Sequence, residues 1–227
     1  NDEPRLQYLL QHHGVAVEEL DRVTLGQLFA TAGYVRRQLI GLSITWIFYG
    51  ASYVASNFYI VYWLTKFKGF SSDGASALLL ASGGIGYFFY ILGGILGERY
   101  GRREVIIVTG ALVAPLSLIF LYAHQTWLVV VVYFLLYQAT NGTWSGAGYA
   151  YQGESFPTRV RGTAVGFLSA MQVLGFVVGT LIWTLLSRTA TPTTTWLVLA
   201  VFVSLGLWTT VFLRRIPPHQ ELEEISQ

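Results

Sequence analysis

Cysteine is missing from all 227 residues, so disulfides, thiolate metal sites and cysteine nucleophiles are excluded, with nothing implied about compartment. Charge is scarce: Asp, Glu, Lys and Arg make up 11% of the chain and the formal net charge is +2. The arginines are spread over several links and form no single basic face, which speaks against nucleic acid as a partner. The four histidines, His12, His13, His124 and His219, are scattered outside the apolar runs, so no metal site and no cofactor is expected. An initiator methionine is missing too, as is an apolar signal segment at the start, and we read the chain as a piece of a longer protein.

What is abundant is apolar. Hydrophobic residues are 53% of the chain, with seven Trp, fourteen Tyr and fourteen Phe, the composition of a membrane protein. Six runs, 39–64, 74–96, 104–122, 127–152, 163–186 and 196–213, are each read as a membrane span, since about 20 apolar residues cross a hydrocarbon core about 30 Å thick. The fold class is therefore all-α membrane protein, with a polar segment 1–38 before the bundle and a tail 214–227 after it. The leading segment predicts short helices over 4–13 and 17–29. Pro115 predicts a kink in the third run.

The middles of the six runs contain no Asp, Glu, Lys, Arg or His. An ionisable group there would be the first candidate for proton coupling, so the functional side chains of this chain are expected to be neutral hydrogen bonders and aromatics. Trp46, Tyr49, Tyr53, Asn57 and Ile60 recur at helical spacing in the first run, and Phe134, Tyr137, Gln138, Asn141, Trp144 or Ser145, Gly148 and Gln152 in the fourth. The second run adds Tyr87 and Tyr90, the fifth Gln172. Hydrocarbon cannot satisfy an amide, so Asn57, Gln138 and Asn141 are expected to face one shared cavity. Each could equally be interhelical glue, worth about 0.6 kcal/mol, and the set on two faces carries the site reading. Gly142, Gly146 and Ala150, Gly162 with Gly166, and Gly175 with Gly179 read as close-packing faces.

Between the second and third runs lies Gly94, Ile95, Leu96, Gly97, Glu98, Arg99, Tyr100, Gly101, Arg102, Arg103. The glycines Gly93, Gly94 and Gly97 suit close backbone approach, and Gly101 suits a tight turn. This pattern resembles the loop motif of the major facilitator superfamily, with Glu98 in place of the usual aspartate. Glu154-Ser155-Phe156-Pro157-Thr158, followed by Arg161 and Gly162, is similar to the loop after the fourth span in the sugar-porter, metabolite:proton and aromatic-acid:proton branches. Glu3-Pro4-Arg5-Leu6 resembles the segment opening the central loop of sugar-porter-like transporters, and Leu222-Glu223-Glu224-Ile225 their tail.

The resemblance implies the C-terminal six-helix half of a major facilitator fold. It implies a partner N-terminal half in the same or another chain, and surrounding lipid. It further implies that the first, second, fourth and fifth spans line a central cavity while the third and sixth face outward. The substrate-contacting residues would be Tyr49, Tyr53, Asn57, Tyr87, Tyr137, Gln138, Asn141, Trp144 and Gln172. Gly94, Gly97, Glu98, Arg99, Gly101, Arg102, Arg103, Glu154, Pro157 and Arg161 would gate, with Glu154 paired to Arg99 or Arg102. A coupling carboxylate would belong to the other half.

The implied activity is secondary transport, with no enzymatic step. Tyr62-Trp63-Leu64-Thr65 resembles a segment of aromatic-acid:proton symporters and favours an organic or aromatic acid moving with protons. A sugar or polyol is the alternative, and a non-transporting six-helix module a third reading. Eleven arginines fall in links and ends proposed to be cytoplasmic, against three Lys or Arg on the other side, so both ends are expected inside, at a bacterial inner membrane.

Overall fold

A computed structural model describes residues 25–30 and 33–216. The helix expected over 4–13, most of that over 17–29, and the tail from residue 217 lie outside the described residues. Of the second helix, Leu25–Ala30 is described and forms α1.

The bundle follows in order. Helix α2, Tyr34–Tyr53, runs into a π turn, Val54–Phe58, and restarts as α3, Ile60–Phe67. Next come α4, Ser72–Tyr100, and α5, Arg102–Tyr122. Helix α6, Thr126–Tyr137, runs into a second π turn, Gln138–Gly142, and continues as α7, Thr143–Glu154. Last are α8, Thr158–Leu186, and α9, Pro192–Trp208, closed by a 3-10 turn, Thr209–Phe212. The described chain is all-α.

Local chemistry sets the ends. Ser71 Oγ accepts from the Gly74 amide at 3.0 Å and Asp73 sits in the first turn, so α4 starts with a cap and a favourable dipole charge. It stops at Gly101, whose φ of +105° only glycine adopts without strain. Pro157, extended, precedes α8, and Pro192 opens α9, where its missing N–H costs nothing. Several helices overrun the apolar runs: α4 carries Glu98 and Arg99 in its last turn, and α8 starts five residues before the run at 163. Hydropathy marks where hydrocarbon ends, and backbone hydrogen bonding continues past it. Pro115 sits inside α5 without ending the helix, and the interruptions fall instead at the two proline-free π turns.

Among the described residues, four helices are long and apolar enough to cross a membrane: Tyr34–Phe58, Ser72–Tyr100, Arg102–Tyr122 and Val160–Leu186. The α6–α7 run is divided by its π turn, and α9 contributes the shorter apolar stretch Pro192–Phe202. α2 packs between α8 and α9, α4 against α7, and α5 against α7 and α9. Glycine makes these approaches close. A Cβ at Gly175 would strike the Ile47 and Gly50 backbone, one at Gly179 the Ala51 backbone, one at Gly93 that of Thr143, and one at Gly146 that of Tyr90. Gly94, Gly162 and Gly166 would meet nothing, so the expectation of close contact fails for those three because no neighbour lies against them. Only 17% of the apolar window of α4 and of α8 is covered, against 61% for the first span and 44% for α5, so these two are the least covered of the four.

Candidate functional site

The two π turns lie side by side in the middle of the bundle. Asn57 in the first and Asn141 in the second are joined, Asn141 Nδ2 donating to Asn57 Oδ1 at 3.2 Å. Asn57 Nδ2 donates onward to Ser56 Oγ at 3.0 Å, and Tyr133 on α6 donates its hydroxyl to the Ser56 carbonyl at 3.2 Å. A π turn disturbs the regular ladder and leaves backbone groups needing other partners, and here side chains of the opposite span supply one. Gln138 Nε2 donates to the Ser82 carbonyl of α4 at 3.0 Å, while Gln138 Oε1 and Ser82 Oγ are buried without a protein partner.

Beside these turns a cavity of about 480 Å³ opens between the first span, α4 and the end of α6. Tyr53, Asn57, Tyr87, Tyr90 and Tyr137 bring hydroxyls and an amide to it, and Phe58, Leu79 and Leu80 bring apolar surface. Gly83 and Gly84 make room: a Cβ at Gly83 would lie 3.1 Å from the Tyr137 hydroxyl. Among the described residues, no charged side chain lines this cavity.

At the arginine-rich end, Arg102 folds back across the last turns of α4. Its Nη1 donates to the Gly94 carbonyl at 2.7 Å and its Nη2 reaches Glu98 Oε1 at 3.4 Å. Its Nε lies 3.3 Å from both Glu154 carboxylate oxygens and Nη2 3.0 Å from Oε1, so one guanidinium ties α4 and α5 to the end of α7. Gly97 clears the path, since a Cβ there would lie 2.6 Å from Arg102 Cδ. Gly101 has a second reason to lack a side chain: the Glu104 carboxylate occupies the place of its Cβ. Arg103 donates to the carbonyls of Val211 and Leu213, at 3.2 and 2.8 Å, and pairs with Glu104 at 3.2 Å. Arg161 donates to the Phe156 carbonyl at 3.3 Å and steadies the turn before Pro157. Arg99 is exposed and lies over the Tyr100 ring.

A sequence model of the Major Facilitator Superfamily matches residues 41–227. The chain belongs to that superfamily. It is 26% identical over 204 residues to myo-inositol transporter 2 of Schizosaccharomyces pombe, covering 83% of this chain and 36% of that one. It is 30% identical over 167 residues to the probable metabolite transport protein CsbC of Bacillus subtilis, covering 67% of this chain and 36% of that one. It thus spans about a third of the length of these curated relatives. The inward-open xylose transporter XylE of E. coli has the same fold, with a TM-score of 0.56, 18% identity, and coverage of 82% of this chain and 50% of that one.

The chain is therefore an integral membrane member of a superfamily of transporters, which are not enzymes. Of the nine residues expected to contact substrate, Tyr53, Asn57, Tyr87 and Tyr137 line the cavity. Gln138 and Asn141 do not; both are 3% exposed and their amides bind other helices, so the expected single cavity for all three amides is corrected to Asn57 alone. Tyr49 and Trp144 are core, their rings stacked at 3.8 Å and the Tyr49 hydroxyl 3.1 Å from Ser145 Oγ. Gln172 stands apart on α8, where it accepts from the Tyr149 hydroxyl at 3.3 Å. Tyr62, of the segment resembling aromatic-acid symporters, lies farther along the first span beside Trp183 and Thr195, apart from that cavity. The glutamate pair resolves as Arg102 with Glu154, and Arg99 takes no part.

Four contributors lie outside the residues that the sequence singles out as substrate contacts: Tyr90, Gly83, Gly84 and Ser82. Tyr90 follows Tyr87 at helical spacing, the signal that places it on the same face. Gly83 and Gly84 gave no signal beyond being a pair of glycines. Ser82 contributes through its backbone carbonyl, which accepts from Gln138 and which no side-chain pattern could signal.

Proposed function

We propose that this chain is the C-terminal half of a secondary transporter for a neutral, polyhydroxylated solute, a sugar or polyol, working by alternating access against an N-terminal six-helix half. The observation that carries the reading is the cavity itself: four tyrosine hydroxyls and one carboxamide, interleaved with apolar surface and without a charged side chain. Such a lining exchanges hydrogen bonds with hydroxyl groups in either direction and lets ring carbons rest on aromatic faces. The relatives named for myo-inositol and xylose transport support it. An acid substrate would need a cation that this half does not place in the cavity.

The open faces of α4 and α8 suit contact with another half. The Arg102–Glu154 pair is then a latch at the cytoplasmic rim, made in one state and released in the other. The arginine bias supports both ends of the chain facing the cytoplasm. A transported organic or aromatic acid with protons is the second reading, favoured by the aromatic share of the lining. It requires both the cation and the coupling carboxylate to come from the other half.

The test is uptake by the full-length transporter in proteoliposomes. Labelled myo-inositol and xylose, competed by a panel of neutral polyols, should give saturable transport whose KM rises in Tyr53→Phe. Saturable uptake of an aromatic carboxylate that polyols do not inhibit would overturn the neutral-solute reading in favour of the acid.

A further inference from the structure

The arginine-rich end holds a second cluster that the latch does not use. The turn closing α9, residues 209–216, is gripped by cations: Arg37 Nη2 donates to the Phe212 carbonyl at 3.3 Å, and Arg103 to those of Val211 and Leu213. Gln38 accepts from the Arg214 amide at 3.1 Å, and Tyr151 donates to its carbonyl at 2.6 Å, so Arg214 is held while its guanidinium stays outward over the Tyr34 ring at 5.4 Å. Arg215, 60% exposed, reaches Glu104 at 3.0 Å, and Arg36 is exposed beside Arg37.

Four guanidinium groups, Arg37, Arg103, Arg214 and Arg215, therefore gather about the α9 turn, Glu104 pairing with Arg103 and Arg215, and exposed Arg36 stands beside Arg37 in the first turn of α2. Directly next to them is a bare apolar strip. Phe212 is 73% and Trp208 57% exposed, and Ile40 and Ile44 stand one residue round from Gly41 and Thr45, which touch Leu213 and Thr209. Acyl chains would cover that strip in a bilayer. The basic corner sits where a headgroup phosphate would be, and guanidinium pairs bind phosphate with two parallel hydrogen bonds.

We infer that the junction of α2 and the α9 turn is a binding site for an anionic phospholipid of the arginine-rich leaflet, with Arg36, Arg214 and Arg215 on its phosphate and Trp208 and Phe212 against its chains. Charge complementarity selects this occupant over a zwitterionic lipid. The site lies apart from the cavity, so its occupancy sets how firmly the α9 turn is held and not which solute is carried.

The experiment is lipid titration of the delipidated full-length transporter in neutral detergent, read by native mass spectrometry. Phosphatidylglycerol should bind well above phosphatidylcholine. Arg36→Gln, Arg214→Gln and Arg215→Gln should each weaken it about fivefold, which corresponds to about 1 kcal/mol per arginine near a charged surface. Arg99→Gln, on the same rim, should leave binding unchanged. Arg36→Gln touches no helix cap, so it stays informative if the combined variant fails to fold. Four outcomes overturn the proposal: equal binding of both lipids, an equal loss in Arg99→Gln, full displacement by millimolar inorganic phosphate, or binding that appears only after deletion of 217–227. The third would mean a soluble-anion site, and the last that the acidic segment with Glu221, Glu223 and Glu224 occupies the corner.

Discussion

Asn141 donates its side-chain amide to Asn57 Oδ1 across 3.2 Å, and each asparagine belongs to a π turn that interrupts its span. Both are buried, so removing either costs the other its partner across the two turns, with only a neighbouring hydroxyl of its own turn left, Ser56 Oγ for Asn57 and Thr140 Oγ1 for Asn141. Asn57→Ala and Asn141→Ala should each lower the stability of the full-length protein by about 1 to 3 kcal/mol, and the double variant should cost less than their sum. A double-mutant cycle on thermal unfolding reads the coupling. Transport should separate the two, with KM rising more in Asn57→Ala because only Asn57 lines the cavity.

Glu154 and Glu98 both meet Arg102, on unequal terms. The Glu154 contact is shorter and 25% exposed, whereas the Glu98 side chain is 67% exposed at 3.4 Å. Solvent screens the exposed pair, which is worth at most about 1 kcal/mol. Glu154→Gln should therefore slow turnover clearly, about as much as Arg102→Ala, and Glu98→Gln only slightly. Single-turnover and exchange rates in proteoliposomes give the ranking, and a larger effect at Glu98 would contradict the geometry.

Glycines of one helix should divide into two classes. Gly175→Ala drives a methyl into the Ile47 and Gly50 backbone and should cost more than about 2 kcal/mol, whereas Gly166→Ala meets open space and should gain up to about 1 kcal/mol of helix propensity. Comparing thermal midpoints of the two variants checks this directly.

Lys68 closes the opposite end, its Nζ donating to the carbonyls of Leu121 and Ala123 at 2.7 Å each, where α5 ends. Lys68→Met should cost about 1 kcal/mol by uncapping those carbonyls. Burial lowers the Lys68 pKa below 10.5, so between the lowered value and 10.5 the unfolded chain binds the proton more tightly. Stability then rises with pH across that window, and the variant should lose this slope in a pH series of melts.

The motif loop was legible because its chemistry is local. Arg102, Glu98, Gly97 and Gly101 lie within one turn and its flanks, and a guanidinium there has few places to go. Choosing Arg102 over Arg99 was not legible. It depends on which side of the α4 end faces α7, and only Glu154 arriving from α7 decides it.

The sequence by itself determined the six apolar runs, the absence of charge between their ends and the two motif loops, because hydrocarbon tolerates few residue types and turns need particular ones. Only the tertiary structure decided which polar side chains meet the cavity. Helical spacing assumes an unbroken helix, and a π turn inserts about one extra residue, rotating everything beyond it by about 100°. Tyr137, just before the second π turn, therefore faces the cavity, while Asn141 within it turns to Asn57 and Trp144 beyond it turns to Tyr49.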